Sequence, residues 1–407
     1  VMNRHSTLFP NLLAVVCTVL QAACGGGGGG GGVDVRPAID YYNAVVIDDL
    51  DGDGALDLVL GFDAVGDSSS GDTDSNVVLF RQHPGQPGRF PKREHYSARH
   101  KVFSVAIGDF NADGLPDIAV TQSTADSVAR WLQDAGTPGE FLPPKQIPAT
   151  NSPLALVVND LDGDGLDDIA VAGKQISMLF NDPADPGSSF SKQLIDIDAR
   201  SIDSADLDSD GRNDLVVSSG DRVIVLLQDP LPQSPGKFSA SKAYAARGEP
   251  RGIAIADLDG DSLPDLAVAD RGKDPGYVLV YIQNPLTPGR FFAAVEYTTS
   301  KKPLNVAIGD LNNDLLPDLA VAGEHGGKTE GVSVLFQDPS SAGVFLPADV
   351  YRGVLGPRDV AIADLNGDGF SDLAVADSNY DLGPIPYIRF QNPAQPGNFL
   401  QPVSLPN

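Results

Sequence analysis

Beyond its first few dozen residues the chain is cut into short apolar runs bounded by Gly, Pro, Asn or Asp. Runs of this kind, rich in Val, Ile, Leu and Ala, read as strands separated by turns. No long segment repeats its apolar positions every 3.6 residues, so an all-β fold nearly devoid of helix is expected. One frame recurs. A run such as Val306-Ala307-Ile308 or Val360-Ala361-Ile362 leads into an acidic loop, and a second run follows, as in Leu266-Ala267-Val268-Ala269 or Leu373-Ala374-Val375-Ala376. A third run, Val278 to Ile282 or Val332 to Phe336, ends at a Gln/Asn–Asp/Asn–Pro turn. A P-G-x-F turn, seen at Pro87 to Phe90, Pro288 to Phe291 and Pro396 to Phe399, then introduces a fourth extended stretch.

The acidic loop is one nine-residue pattern, D-x-[DN]-x-D-x-x-x-D, present seven times with starts 46 to 60 residues apart. Its positions 1, 3, 5 and 9 are Asp49, Asp51, Asp53 and Asp57 in the first copy and Asp109, Asn111, Asp113 and Asp117 in the second. The third has Asp160, Asp162, Asp164 and Asp168, and the fourth Asp206, Asp208, Asp210 and Asp214. The fifth has Asp257, Asp259, Asp261 and Asp265, the sixth Asp310, Asn312, Asp314 and Asp318, and the seventh Asp364, Asn366, Asp368 and Asp372. Four strands per unit and seven units describe a seven-bladed β-propeller of four-stranded antiparallel blades over residues 37–407, in which radial closure buries the blade faces. An open solenoid would need polar end caps that the sequence does not show. Ala106, Ala254, Ala307 and Ala361 in the first runs suit crowding near a central axis, and the fourth unit departs there with Ile202-Asp203-Ser204-Ala205.

Oxygen donors at positions 1, 3, 5 and 9, with a backbone carbonyl at 7, suit a hard cation. Ca²⁺ accepts six to eight oxygens in irregular cages, whereas Mg²⁺ demands a stricter octahedron. Without His or Cys in the loops, zinc and copper are poor candidates. Up to seven Ca²⁺ ions are therefore expected, against the alternative that some loops are ion-free Asx-type turns. The sixth copy, with Asn312 at position 3 and Leu315 where a left-handed residue is wanted, is expected to be weakest, and Ser262 marks the fifth as a lesser departure. An EF-hand would need Glu at position 12, but Leu60, Val120, Val171, Val217, Val268, Val321 and Val375 stand there.

Charge supports the same reading. The 407 residues hold 28 Lys+Arg and 55 Asp+Glu, a formal charge of -27. A nucleic-acid partner would meet net repulsion. Of the 28 ligand positions 25 are Asp and 3 Asn, so setting them aside leaves 30 acids against 28 bases. Nearly all the net charge lies in the loops, where carboxylates repel unless a cation neutralises them. The connections from a fourth strand to the next blade are repeatedly basic: Arg99 and Lys101, Arg200, Arg247 and Arg251, Lys301 and Lys302, Arg352 and Arg358. They read either as a basic rim for an anionic glycan or acidic protein surface, or as ordinary solvated cations. The longest connections between second and third strands are Asp63 to Asn76, Gly323 to Gly331 and Asp377 to Pro386, recognition loops or plain insertions.

Residues 1–24 combine Arg4, an apolar stretch from Leu12 to Leu20 and the small residues Ala22, Ala23 and Cys24, the layout of an export signal. Eight glycines, Gly25 to Gly32, make 25–36 a flexible tether. This segment resembles a bacterial lipoprotein signal, which implies lipid attachment at Cys24 and an outer-membrane or cell-surface location; ordinary secretion is the alternative. Both cysteines, Cys17 and Cys24, lie in it, so no disulfide can staple the remainder.

The D-x-D-x-D-G-x-x-D loop between two short strands, with a P-G-x-F turn later in each unit, resembles the FG-GAP/VCBS repeat. The resemblance implies a Ca²⁺-binding propeller like that of integrin α chains, with metal loops on one face and partner-binding loops on the other. Catalytic signatures are missing: His83, His95, His100 and His325 form no triad or metal spacing, and there is no G-x-S-x-G or H-E-x-x-H. The chain is thus read as a non-enzymatic surface interaction or adhesion module with a protein or glycan ligand. A Ca²⁺-dependent polysaccharide-processing enzyme of lyase type, since related propellers occur in such enzymes, and a purely structural envelope protein are the alternatives.

Overall fold

The computed structural model describes residues 39–65, 76–229, 236–272, 275–323, 331–353, 356–378 and 386–405. The signal, the tether and the interiors of the three long second-to-third connections, including His325, lie outside these residues. The described chain forms seven four-stranded antiparallel sheets and no helix, with the four strands of each sheet consecutive in sequence. The first blade comprises Ile39–Asp48, Asp57–Val65, Asn76–Arg81 and Lys92–Ser97. The last comprises Pro357–Ala363, Asp372–Asp377, Tyr387–Arg389 and Val403–Ser404.

The first strands pack side by side in a closed circle, each touching those of the blades before and after it. Fourth strands lie outermost and are largely exposed, as at Lys145–Pro148 and Asp349–Arg352. Second strands are buried throughout, as at Asp117–Gln122 and Asp265–Asp270. A blade is covered on both faces by its neighbours, so its middle strands read as unbroken apolar runs and not as alternation.

Seven hydrophobic clusters follow, one at each blade interface. Leu79 and Val59 meet Trp131 and Val105 between the first two blades. Leu60 and Phe80 meet Leu365 and Ile388 between the first and last. The ring therefore closes by side-chain contacts between blades, with no strand exchanged between its ends.

Candidate metal centres

Each acidic loop joins the first and second strands of its blade, so all seven emerge on one face. The antiparallel order puts the third-to-fourth turns, which carry P-G-x-F, on that same face. Connections from second to third strands, and from one blade to the next, emerge opposite.

The loops are wound by their own carboxylates. Asp49 Oδ1 accepts the backbone N–H groups of Gly52 and Asp53, at 2.9 and 3.1 Å, and Oδ2 accepts that of Gly54 at 2.9 Å. Asp160, Asp257 and Asp364 repeat this arrangement in their copies. Position 5 accepts the N–H two residues on, as Asp53 does from Ala55 and Asp368 from Phe370. These are Asx turns in sequence.

The winding requires left-handed backbone at two positions. Position 6 was legible as glycine in five copies. The departures at this position leave the path unchanged: Ser262 and Leu315 take φ of 69° and 68° and donate to Asp257 and Asp310 as the glycines do to theirs. Position 4 is left-handed too, at Gly52, Gly163, Gly260 and Gly367 but also at Ala112, Ser209 and Asn313. A count of glycines hides that requirement; its signal is that only small or Asn residues stand there.

The structure brings three carboxylates within 4.8 Å of one another in five loops. They are Asp49, Asp51 and Asp53; Asp160, Asp162 and Asp168; Asp206, Asp208 and Asp210; Asp257, Asp259 and Asp265; and Asp310, Asp314 and Asp318. The second and seventh loops carry Asn111 and Asn366 at position 3. Burial, followed by repulsion from position 5, holds Asp162, Asp208 and Asp259 above the usual carboxylate range. Asp208 Oδ1 is buried without a hydrogen-bond partner. An all-oxygen donor set with crowded carboxylates and one orphaned buried oxygen fits a hard cation.

Position 9 has a second duty that spacing does not reveal. Asp117, Asp168, Asp214, Asp265, Asp318 and Asp372 are buried and accept backbone N–H groups on both oxygens. One comes from position 2 of the loop and the other from the Gln or Asn that follows the third strand. Desolvation pushes Asp168 up to about 8 and the other five up to about 7. These residues lock the loop to the blade whether or not they also face an ion.

The same Gln/Asn series, read in the sequence only as a turn, fastens neighbouring blades. Gln337 Nε2 donates to Pro317 O in its own loop and to Leu258 O in the preceding blade's loop, both at 3.0 Å. Asn181 does likewise toward Phe110 O at 2.7 Å. Its Oδ1, like Oε1 of Gln133 and Gln283, accepts the N–H of the P-G-x-F glycine. Those glycines have positive φ and abut position 3 of the preceding loop: a Cβ on Gly139 would lie 2.8 Å from Asp51 Cβ, and one on Gly289 3.3 Å from Asp208 Cβ. The P-G-x-F turn is thus a bearing for the neighbouring acidic loop.

The opposite face corrects the basic rim. Arg251 and Arg358 are buried, bonded to Glu249 and to Ser378 and Asn43. Arg247 stacks on Tyr277 and pairs with Glu296. Arg99, Lys101, Lys301, Lys302 and Arg352 are exposed and Arg200 partly so. The basic series thus mixes residues that fix the blade-to-blade joints with residues that face solvent.

Fold and loops together define a repeat propeller with an oxygen-lined loop in every blade. The chain belongs to the FG-GAP-like repeat family, which matches it at residues 49–120, 109–171, 206–268, 257–321 and 311–375. No functionally curated protein matches it significantly. Among solved structures it is similar to an Agrocybe aegerita lectin specific for non-reducing terminal N-acetylglucosamine, at 18% identity, TM-score 0.54, covering 88% of this chain and 93% of the lectin. It is also similar to a 6-phosphogluconolactonase-like protein from Bacteroides uniformis, at 14% identity, TM-score 0.55, covering 83% and 94%. A protein of unknown function from Desulfotomaculum acetoxidans shares 15% identity and a TM-score of 0.51, covering 81% and 92%. Such distant likenesses establish the propeller fold and nothing about ligands.

Proposed function

We propose that this protein is an exported, calcium-binding propeller acting as a cell-surface interaction or adhesion module. The observation that carries the reading is the convergence of three carboxylates in five loops on one face, in a domain without cysteine to staple it. The converging carboxylates would hold the ion, from positions 1, 3 and 5 in the fourth loop, 1, 3 and 9 in the third and fifth, and 1, 5 and 9 in the sixth. A bound divalent ion supplies the positive charge that offsets their repulsion, and it stabilises the folded chain by mass action. The opposite face is left to a protein or glycan partner, toward which exposed Arg99, Lys302 and Arg352 offer cations suited to an anionic one.

Calcium bound per chain, measured together with thermal unfolding in calcium and in chelator, tests the metal reading. Several ions and a melting point lower in chelator are expected. No bound calcium and an unchanged melting point would leave the loops as plain Asx turns. Binding to anionic polysaccharides tests the partner reading: charge reversal at Arg99, Lys301 and Lys302 should weaken it, and unchanged binding would remove the anionic ligand from consideration.

A further inference from the structure

One buried residue sets the first acidic loop apart. Immediately before the Gln or Asn that ends the third strand, six blades place an apolar residue: Leu132, Phe180, Leu227, Ile282, Phe336 and Phe390. The first blade has Arg81 there, its side chain only 7% exposed. Arg81 Nη1 lies 2.8 Å from Asp57 Oδ2 and 3.9 Å from Asp51 Oδ2, and Nε lies 3.7 Å from Glu94 Oε2. Nη2 donates to the carbonyl of Gly139, the P-G-x-F glycine that bears on this loop. A guanidinium stays charged at every accessible pH. Two of this loop's four candidate ligands therefore already face a permanent cation.

No other loop has this arrangement among the described residues. Arg212 pairs with Asp210 in the fourth loop, but at the surface, where solvent screens it. Arg130, on the third strand of the second blade, lies in the field of Asp117 and Asp185 but has no carboxylate within salt-bridge distance among the described residues, and its Nε and Nη1 make no hydrogen bond. The first loop is open to solvent. A cavity of about 240 Å³ opens beside it, lined by Asp51, Asp53, Arg81 and Glu94.

We infer that Arg81 takes the place of a metal ion at the first loop, so that the propeller holds calcium at its other loops and not at this one. The inference rests on the calcium reading above. A divalent ion among Asp49, Asp51 and Asp53 would meet like charge at close range. To recruit Asp57 it would have to pull that carboxylate from a buried ion pair, leaving a guanidinium without its partner.

The test is calcium per chain in the full-length protein, by equilibrium dialysis with elemental analysis, Ca²⁺ being the only probe. Arg81→Leu, which installs the residue type of the other blades, should bind one ion more than the wild type. Asp53→Asn should leave the wild-type count and the calcium-induced rise in melting temperature unchanged, whereas Asp210→Asn, at the same position of the fourth loop, should lose one ion. An equal count in the wild type and Arg81→Leu, or loss of an ion in Asp53→Asn, overturns the inference while the calcium reading stands. A wild type that binds no calcium removes both. Should Arg81→Leu not fold, the contrast between Asp53→Asn and Asp210→Asn decides alone.

Discussion

Asp359 Oδ2 accepts the backbone N–H of Val45 at 2.9 Å, joining residues 314 positions apart. Its other oxygen accepts Asn305 Nδ2, so one carboxylate ties together the sixth, seventh and first blades. Ser104 Oγ makes the equivalent bond to Leu156 N, at 3.1 Å, between the second and third. Because no strand is exchanged, such contacts and the apolar interface are what hold the ends of the chain together. Asp359→Leu removes the acceptor of three buried donors, Val45 N, Val360 N and Asn305 Nδ2, and should cost about 2–4 kcal/mol, against about 1 kcal/mol for Ser104→Ala. Urea midpoints would show the difference, and equal losses would mean that the ends are held by packing alone.

Asp203 and Asp359 are buried in first strands, and burial pushes their carboxyls up to about 8 and about 7. A carboxyl whose pKa is higher folded than unfolded favours the folded state while it is protonated. That contribution is complete below the unfolded value near ~4 and is lost as pH rises through 7 to 8. Stability in chelator should therefore fall from pH 5 toward pH 8, by about 1.4 kcal/mol per pH unit for each group at most. The six buried position-9 carboxyls raised to about 7 or 8 add to the same slope, so Asp203→Asn should make it shallower by one group's share. An equal slope in Asp203→Asn and the wild type would show that Asp203 is not protonated in the native state.

Gly139 and Gly165 have nearly the same φ, 91° and 90°. A Cβ at Gly165 meets nothing within 4 Å, whereas one at Gly139 meets Asp51 Cβ at 2.8 Å. Gly165→Ala should cost the left-handed penalty of about 1–2 kcal/mol. Gly139→Ala should cost at least about 1 kcal/mol more, because overpacking is added. Thermal denaturation of the pair would show the order, and equal costs would refute the bearing role of the P-G-x-F turn.

Gln337 satisfies Leu258 O, Pro317 O and Gly343 N through its side chain. Gln337→Leu strands these buried backbone groups and should lose about 2–4 kcal/mol, far more than an ordinary turn residue would. Gln337→Glu keeps the acceptor for Gly343 N but removes both donors, and should fall between. A loss below about 0.5 kcal/mol for Gln337→Leu, the range of a neutral surface change, would return the residue to the status of a turn former.

Leu315 is 86% exposed and holds φ at 68°. Nothing in the described contacts repays that conformation for a branched side chain. Leu315→Gly should raise stability by roughly 1 kcal/mol, since the left-handed penalty exceeds the entropy lost by glycine. A rise of several degrees in the melting point is expected to be accompanied by unchanged or tighter calcium binding at the sixth loop.

The all-β class, the seven units and the place of each acidic loop are properties of the sequence alone, because strand period, turn residues and metal-type spacing are local and repeat seven times. Leu315 and Ser262 show the limit of local reading: each departs from the preferred residue, yet the network of N–H groups around Asp310 and Asp257 holds the same path. Tertiary structure alone decided which cations face solvent and which are blade joints: Arg251 and Arg358 are the second residues of first strands and are packed between blades, whereas Arg99, Lys101, Lys301 and Lys302 stand before such strands and are exposed. It alone showed that a glycine in one blade bears on an aspartate of another, and that Arg81 turns inward onto Asp57. These relations join separate repeats, and a repeating sequence states each unit's chemistry without stating which neighbour it will meet.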